Sequence, residues 1–454
     1  KTYRKYLLWL LISLSSIKFI SLLHWTIFIP LKTASPFKEI AMLELSIFYI
    51  LSYLIPLLII PLMYYWILFP LIKWIIGNIP KIKIQNDKNN QKIGIFFLTT
   101  SMLLAIFSTI YPYLESINPR GLNVGVDIPH YVTAAKEVEG NITAVFKIWE
   151  GTRPLIFLVI YGFQKAIGTD TLMAVRMLPI ILNPFLALTT FFLLYEAYED
   201  PYRAGLGSLL TATSYQIAVG MYSYFLTNML GLILIYSSLT FLFKAFKSKT
   251  KIPLLFAIIL GCLLDLTHPW TFDQYLAASA LLLIILLIRL WRRGENKIEF
   301  KNLLIYVSSL VIFDFIRISI LRYGGIYATA TAAKSTAGLS RFWFSSIFSF
   351  RLLYGGYLST LVPLILAIIA IYLHEENLWI TYWRAFIFTT SIIFITGDAT
   401  IKSRLIYNIP IGILAAMGLG ILEKLTEKRL RWAITCFTIL NNITYLFRSL
   451  ANLV

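Results

Sequence analysis

Asp127 stands early in the stretch GLNVGVDIPHYVTAAKEVEG, with His130 and Tyr131 three and four residues further on. A carboxylate roofed by protein at a membrane surface can serve as general base toward a hydroxyl. A helix starting near Pro129 would turn His130 and Tyr131 to the aspartate's side. The plainer reading is an N-cap, since an aspartate just ahead of Ile128-Pro129 is a common helix start. The two roles can coexist. Glu115, Glu137, Glu139 and Glu150 are rival carboxylates, expected to be solvated.

Asp265 and His268 form a second constellation, in LLDLTHPWTFDQY between two apolar runs. An ionisable residue inside a span costs roughly 2.5–3.5 kcal/mol on insertion scales, so it usually marks a site or a pathway. Their i,i+3 spacing would place both on one helix face, with Pro269 ending the turn. His268 could hydrogen-bond a phosphate, or join Asp127 in holding a divalent metal. The bland alternative is a buried Asp265–His268 hydrogen bond that steadies the turn. No HExxH or comparable ligand motif occurs, so no cofactor is assigned and a divalent metal stays open.

Basic residues form a third group: Arg322, Lys334, Arg341, Arg351, Lys402 and Arg404. Arginine suits bidentate phosphate binding, and lysine acts as a point charge. Lys334, Arg341, Lys402 and Arg404 therefore join His130, Tyr131 and His268 as candidate phosphate-binding residues. The alternative for each is headgroup contact or snorkelling. Asp314 and Arg317, also spaced i,i+3, are expected to form a structural ion pair. Asn141-Ile-Thr143 matches a glycosylation sequon, a weak signal.

The scaffold for these residues follows from composition. Of 454 residues, 58% are hydrophobic and 14% charged, against about 25% charged in soluble domains. A soluble enzyme, a disordered chain and a nucleic-acid-binding domain are excluded. The net charge of +18 is read as basic loops facing anionic headgroups. Apolar runs near 7–29, 45–72, 93–115, 171–195, 203–219, 224–244, 252–267, 272–291, 302–321, 354–373, 380–397, 405–422 and 432–450 predict an all-α, polytopic transmembrane bundle of about 11–13 spans. The segment 154–168 is too short to cross easily and is expected in the interface or packed on the bundle. The first run contains Lys18 and lacks a small-residue cleavage site, so it reads as a retained helix. Cys262 and Cys436 lie apart in apolar runs, which gives no disulfide framework.

Lys and Arg are more than twice as dense in the loops on the N-terminal side as in the opposite loops. The positive-inside rule then predicts a cytoplasmic N-terminus. It also places the longest loops, 116–153 and 322–353, outside a plasma membrane. Loops beyond about 12–15 residues are usually functional or disordered. The second, with YATATAAKSTAGLSRFWF, suits a flap hinged beside an aromatic anchor.

The order of these features resembles the GT-C glycosyltransferases, polytopic enzymes that use polyprenyl-phosphate-linked sugar donors. The segment Phe96–Glu115 leads to GVDIPHYVTAA and then to TRPLIFLVIYGFQKAIG. VRMLPIILNPFLALTTFFLLYEAYED, with Arg176, looks like the family's next helix. LLDLTHPWTF resembles a THP-type turn, and KSRLIYNIPIGILAAMGLGIL a late arginine–proline segment. The likeness covers 93–425 as a GT-C-like core. It leaves 1–92 as an N-terminal extension with two transmembrane helices and 426–454 as a C-terminal transmembrane helix.

The resemblance implies transfer of a sugar from a dolichyl-type phosphate donor to a lipid, glycan or protein acceptor, with inversion and Asp127 as base. Membrane lipids and subunits of an envelope complex are further expected partners; nucleic acid is not. The WWDYG-type signature of oligosaccharyltransferases is missing, and a single Asp127 stands where the family usually has paired acids. Two alternatives stay open: a secondary transporter lined by Asp265, Asp314, Arg317 and Arg384, or a non-catalytic GT-C-like subunit.

Overall fold

The computed structural model describes residues 2–84, 91–248, 250–321, 358–396 and 399–452. Every regular element among them is helical, apart from one isolated parallel bridge between Ile82 and His374. In hydrocarbon this is the expected solution, because a helix satisfies its backbone polar groups internally. Seven helices among the described residues are long and apolar enough to cross a membrane: Tyr3–Phe28, Lys38–Met63, Gln91–Tyr113, Thr171–Tyr198, Leu226–Lys247, Pro269–Arg293 and Lys297–Leu321. The chain is a helical membrane protein.

Among the described residues, several of the predicted apolar runs are not single long helices. The 203–219 run splits into Pro201–Ala212 and Tyr215–Ser223, because Ser214 caps the second piece through its hydroxyl. The 405–422 run divides at Pro410, which separates Ala399–Tyr407 from Ile411–Leu425. Ile252–Asp265 has only 14 residues, or about 21 Å at 1.5 Å per residue. Lys428–Ala451 has the length but carries four cationic residues, Lys428, Arg429, Arg431 and Arg448. The segment expected to be too short, Pro154–Ile167, is a 14-residue helix with Ile156, Phe157 and Ile160 fully buried.

Small residues let several helices touch backbone to backbone, as membrane interfaces favour. A Cβ at Gly205 would overlap the Gly94 backbone, and one at Gly418 would overlap the Leu366 carbonyl. The N-terminal helix Thr2–Leu23 runs parallel to Lys428–Ala451. Arg4 pairs with Glu427 near one end, and Thr444 Oγ1 donates to the Lys18 carbonyl further along (3.1 Å). Thr2–Leu23 and Lys428–Ala451 thus pack on each other. Lys18, Glu44 and Arg448 meet at this junction, where Arg448 Nη1 donates to Glu44 Oε2 at 2.8 Å.

The stretch 116–153 is folded. It forms helix Ile128–Gly140 and two 3₁₀ turns, Ile142–Phe146 and Ile148–Gly151. Its end is pinned to the THP turn: Leu155 N–H donates to Leu266 O at 3.0 Å, and Arg317 Nη2 donates to Thr152 O at 3.0 Å. The expected flap, 322–353, lies outside the described residues.

Candidate functional site

Gly125 adopts φ +130°, and a Cβ there would overlap the Tyr224 ring. This glycine-only bend lets Val126 N–H donate to Tyr222 O at 3.0 Å, which sets Asp127 at the head of helix Ile128–Gly140. Asp127 occupies the N-cap position, yet its carboxylate accepts no bond from the first-turn amides. Oδ2 accepts instead from Arg404 Nη2 at 3.2 Å. The capping reading is therefore corrected in its chemistry: the side chain is committed to an arginine from 277 residues away.

Four residues past Asp127, Tyr131 is buried, with its hydroxyl 3.3 Å from Thr227 Oγ1 and its ring edge-on to Trp149. His130 is exposed and joins none of these contacts. Neighbouring positions on a helix diverge by about 100°, so burying Tyr131 turns His130 outward.

Trp149, Glu150 and Gly151 all have positive φ (47°, 58° and 67°). Two consecutive non-glycine residues in this region store strain, of order 1–3 kcal/mol each. The turn packs the Trp149 ring against Phe157 and delivers Arg153 beside it. The Arg153 guanidinium lies 5.2 Å from the Trp149 ring and 5.9 Å from that of Trp270. Burial, then repulsion from Arg404, lowers its pKa to about 10. It is cationic at neutral pH, but held at a cost that an anion would relieve.

His268 is fully buried at the N-cap of Pro269–Arg293, where Nδ1 accepts from Thr271 N–H at 3.2 Å. An imidazole that accepts at Nδ1 carries its proton on Nε2 when neutral. Burial, then Arg153 and Arg404, hold its pKa well below the ordinary value, so Nε2–H is a neutral donor. The expected Asp265–His268 bond is not made. Residues 266–268 lie past the end of helix Ile252–Asp265, and His268 is extended (φ −159°, ψ 112°), so the i,i+3 face does not exist there. Asp265 bonds Arg317 instead, both through its carboxylate and its backbone carbonyl. The pairing expected of Arg317 with Asp314 is corrected accordingly: Arg317 reaches across to Asp265 and Thr152.

Arg404, on helix Ala399–Tyr407, lies 5.1 Å from the Phe225 ring and 5.9 Å from Trp270. Asn228 fixes its backbone by donating to the Arg404 carbonyl at 3.3 Å, and bonds Asn408 and Thr271 as well. Of the other candidate cations, Lys402 shares this helix with only its backbone described, and Lys334 and Arg341 lie outside the described residues.

The cluster's chemistry is set by its unused donors. His268 Nε2, Trp270 Nε1, Arg153 Nε and Arg404 Nε and Nη1 are buried without a hydrogen-bond partner among the described residues. Leaving such a group unpaired costs roughly 1–3 kcal/mol, more when charged. Five N–H donors, two of the side chains cationic, against one carboxylate form a donor set whose chemistry suits an oxyanion. A divalent metal does not fit these residues: two guanidiniums flank His268, whose Nδ1 is taken, and Asp127 is bound to Arg404. No group of three metal-ligating side chains occurs among the described residues.

Sequence reasoning reached Asp127, Tyr131, His268 and Arg404 and missed Arg153, Trp149 and Trp270. A signal for Arg153 was present, since Arg-Pro closes the loop just before an apolar helix. In comparisons with known proteins, the chain matches no family model and no curated protein.

Proposed function

We propose that this protein is a membrane glycosyltransferase of GT-C type, taking a sugar from a polyprenyl-phosphate donor. The supporting observation is the convergence of five unpaired N–H donors beside one carboxylate. A lipid-phosphate sugar presents a doubly coordinating oxyanion at the membrane surface, which Arg153, Arg404, His268 and Trp270 suit in charge and donor count.

Arg404 has a bridging role in this reading. Nη2 holds Asp127 Oδ2, while Nε and Nη1 face the phosphate, so one rigid guanidinium fixes the base relative to the leaving group. Asp127 takes the proton of an acceptor hydroxyl as its oxygen bonds the anomeric carbon. The bond from that carbon to the donor phosphate breaks, and the charge left on the phosphate falls on the arginines. Attack opposite the leaving group inverts the configuration.

The site then faces the extracytoplasmic side of the plasma membrane, with the N-terminus in the cytoplasm. The acceptor is a lipid, glycan or protein hydroxyl. A transport path through Asp265, Asp314, Arg317 and Arg384 finds less support, because Asp265, Arg317 and Arg384 are tied into fixed pairs and carbonyl contacts.

The test is Asp127→Asn in membranes supplied with polyprenyl-phosphate sugar. Transfer is expected to fall by about 10²–10⁴, the usual share of a general base, while donor binding persists. Full transfer by the variant excludes the base assignment. Donor binding with no transfer by the unaltered protein identifies the non-catalytic subunit instead.

A further inference from the structure

The parallel packing of Thr2–Leu23 on Lys428–Ala451 leaves a groove of about 630 Å³ on the outside of the bundle. Ile12, Phe19 and Trp432 line it and are exposed; Ser16 and Cys436 are its small exposed residues. From Arg429 to Leu440 it runs roughly 17 Å at 1.5 Å per residue. Its lining is mostly apolar, interrupted by Ser15 and Ser16, and has Arg429 at one end.

That end is strongly basic. Arg4, Lys5, Lys428, Arg429 and Arg431 lie within the first turns of the two parallel helices. Glu427 is bound to Arg4, whereas Arg429 is exposed and has no carboxylate partner among the described residues. An elongated apolar groove that closes on an unpaired cation is complementary to one kind of occupant. The acyl chain of a phospholipid fills the groove, and its anionic headgroup meets the basic end. We infer that this groove is a binding site for an anionic phospholipid, with Arg429 as its headgroup contact.

This site is built from other helices than the Asp127 cluster, so it stands or falls independently of the catalytic reading. The full-length protein in neutral detergent is mixed with equimolar phosphatidylglycerol and phosphatidylcholine, and retained lipid is read by native mass spectrometry. Phosphatidylglycerol is expected to be retained about fivefold over phosphatidylcholine, the factor equal to roughly 1 kcal/mol per basic side chain at an anionic surface. Arg429→Gln removes the preference. Ser16→Trp, at an exposed position that leaves the helix packing intact, fills the groove and lowers retention of both lipids. Equal retention by the unaltered protein, a preference that survives Arg429→Gln, or unchanged occupancy in Ser16→Trp each overturns the assignment. So does a groove that retains neither lipid and instead mediates dimers.

Discussion

Arg153 carries the sharpest consequence at the scale of single residues. Its guanidinium stands beside Trp149 and Trp270 with a buried, unpaired Nε. Arg153→Gln should weaken polyprenyl-phosphate binding at least tenfold, since a hydrogen bond to a charged group is worth about 1.5–3 kcal/mol. Arg153→Lys should recover only part of this, because a point charge lacks the planar fork; phosphorus NMR titration of both variants checks the order. His268 gives a pH signature. Its folded pKa lies below the ordinary value, so below about pH 6.5 the unfolded chain takes up a proton that the folded protein refuses. Stability therefore falls as pH drops through that value, by up to about 1.4 kcal/mol per unit, and is unaffected above it. Thermal unfolding between pH 7.5 and 5 should show a shallower slope for His268→Gln. Asp127 was legible as a special residue because an aspartate in an apolar chain is rare. Its partner was not, since nothing in 277 residues of spacing says which of several cations will face it.

Gly125 shows how elements, rather than residues, set the geometry. Its positive φ and its closeness to the Tyr224 ring hold the turn that presents Asp127. Gly125→Ala should cost about 1–3 kcal/mol of strain and lower transfer more than donor binding, because the arginines stay in place while the carboxylate shifts. A kcat against KM comparison reads this directly, and equal loss in both would contradict it. The apolar runs located most helices to within a few residues, because hydropathy over a span is a strong, local signal. What hydropathy could not register were the interruptions. Ser214 and Pro410 cut runs that hydropathy alone joins. The Asp265–His268 spacing misled for the same reason, as helical periodicity was extended past the last helical residue. Helix Pro154–Ile167 was recognised by length alone.

For the molecule as a whole, the arrangement has two chemically distinct ends. His268 caps the helix Pro269–Arg293 that carries Arg289, and the two lie 21 residues apart, so about 30 Å separates them along its axis. At the His268 end sit Asp127, Arg153 and Arg404. At the Arg289 end, Arg289 and Arg384 share Glu376, and Lys81 donates to Tyr372 O at 2.8 Å. That spacing is close to the hydrocarbon thickness of a bilayer, about 30 Å, so the proposed reading would put the donor cluster at one interface and the structural pairs at the other. On the proposed reading, the positive-inside rule would put the Arg289 end, whose loops are richer in Lys and Arg, at the cytoplasmic face. With Cys262 and Cys436 replaced, a cysteine at exposed His130 should react with a membrane-impermeant maleimide in right-side-out vesicles. A cysteine at exposed Lys428 should react only in inverted ones. The reverse pattern would put the oxyanion site on the cytoplasmic face, where an extracytoplasmic acceptor could not reach it, and the direction of the proposed transfer would have to be abandoned.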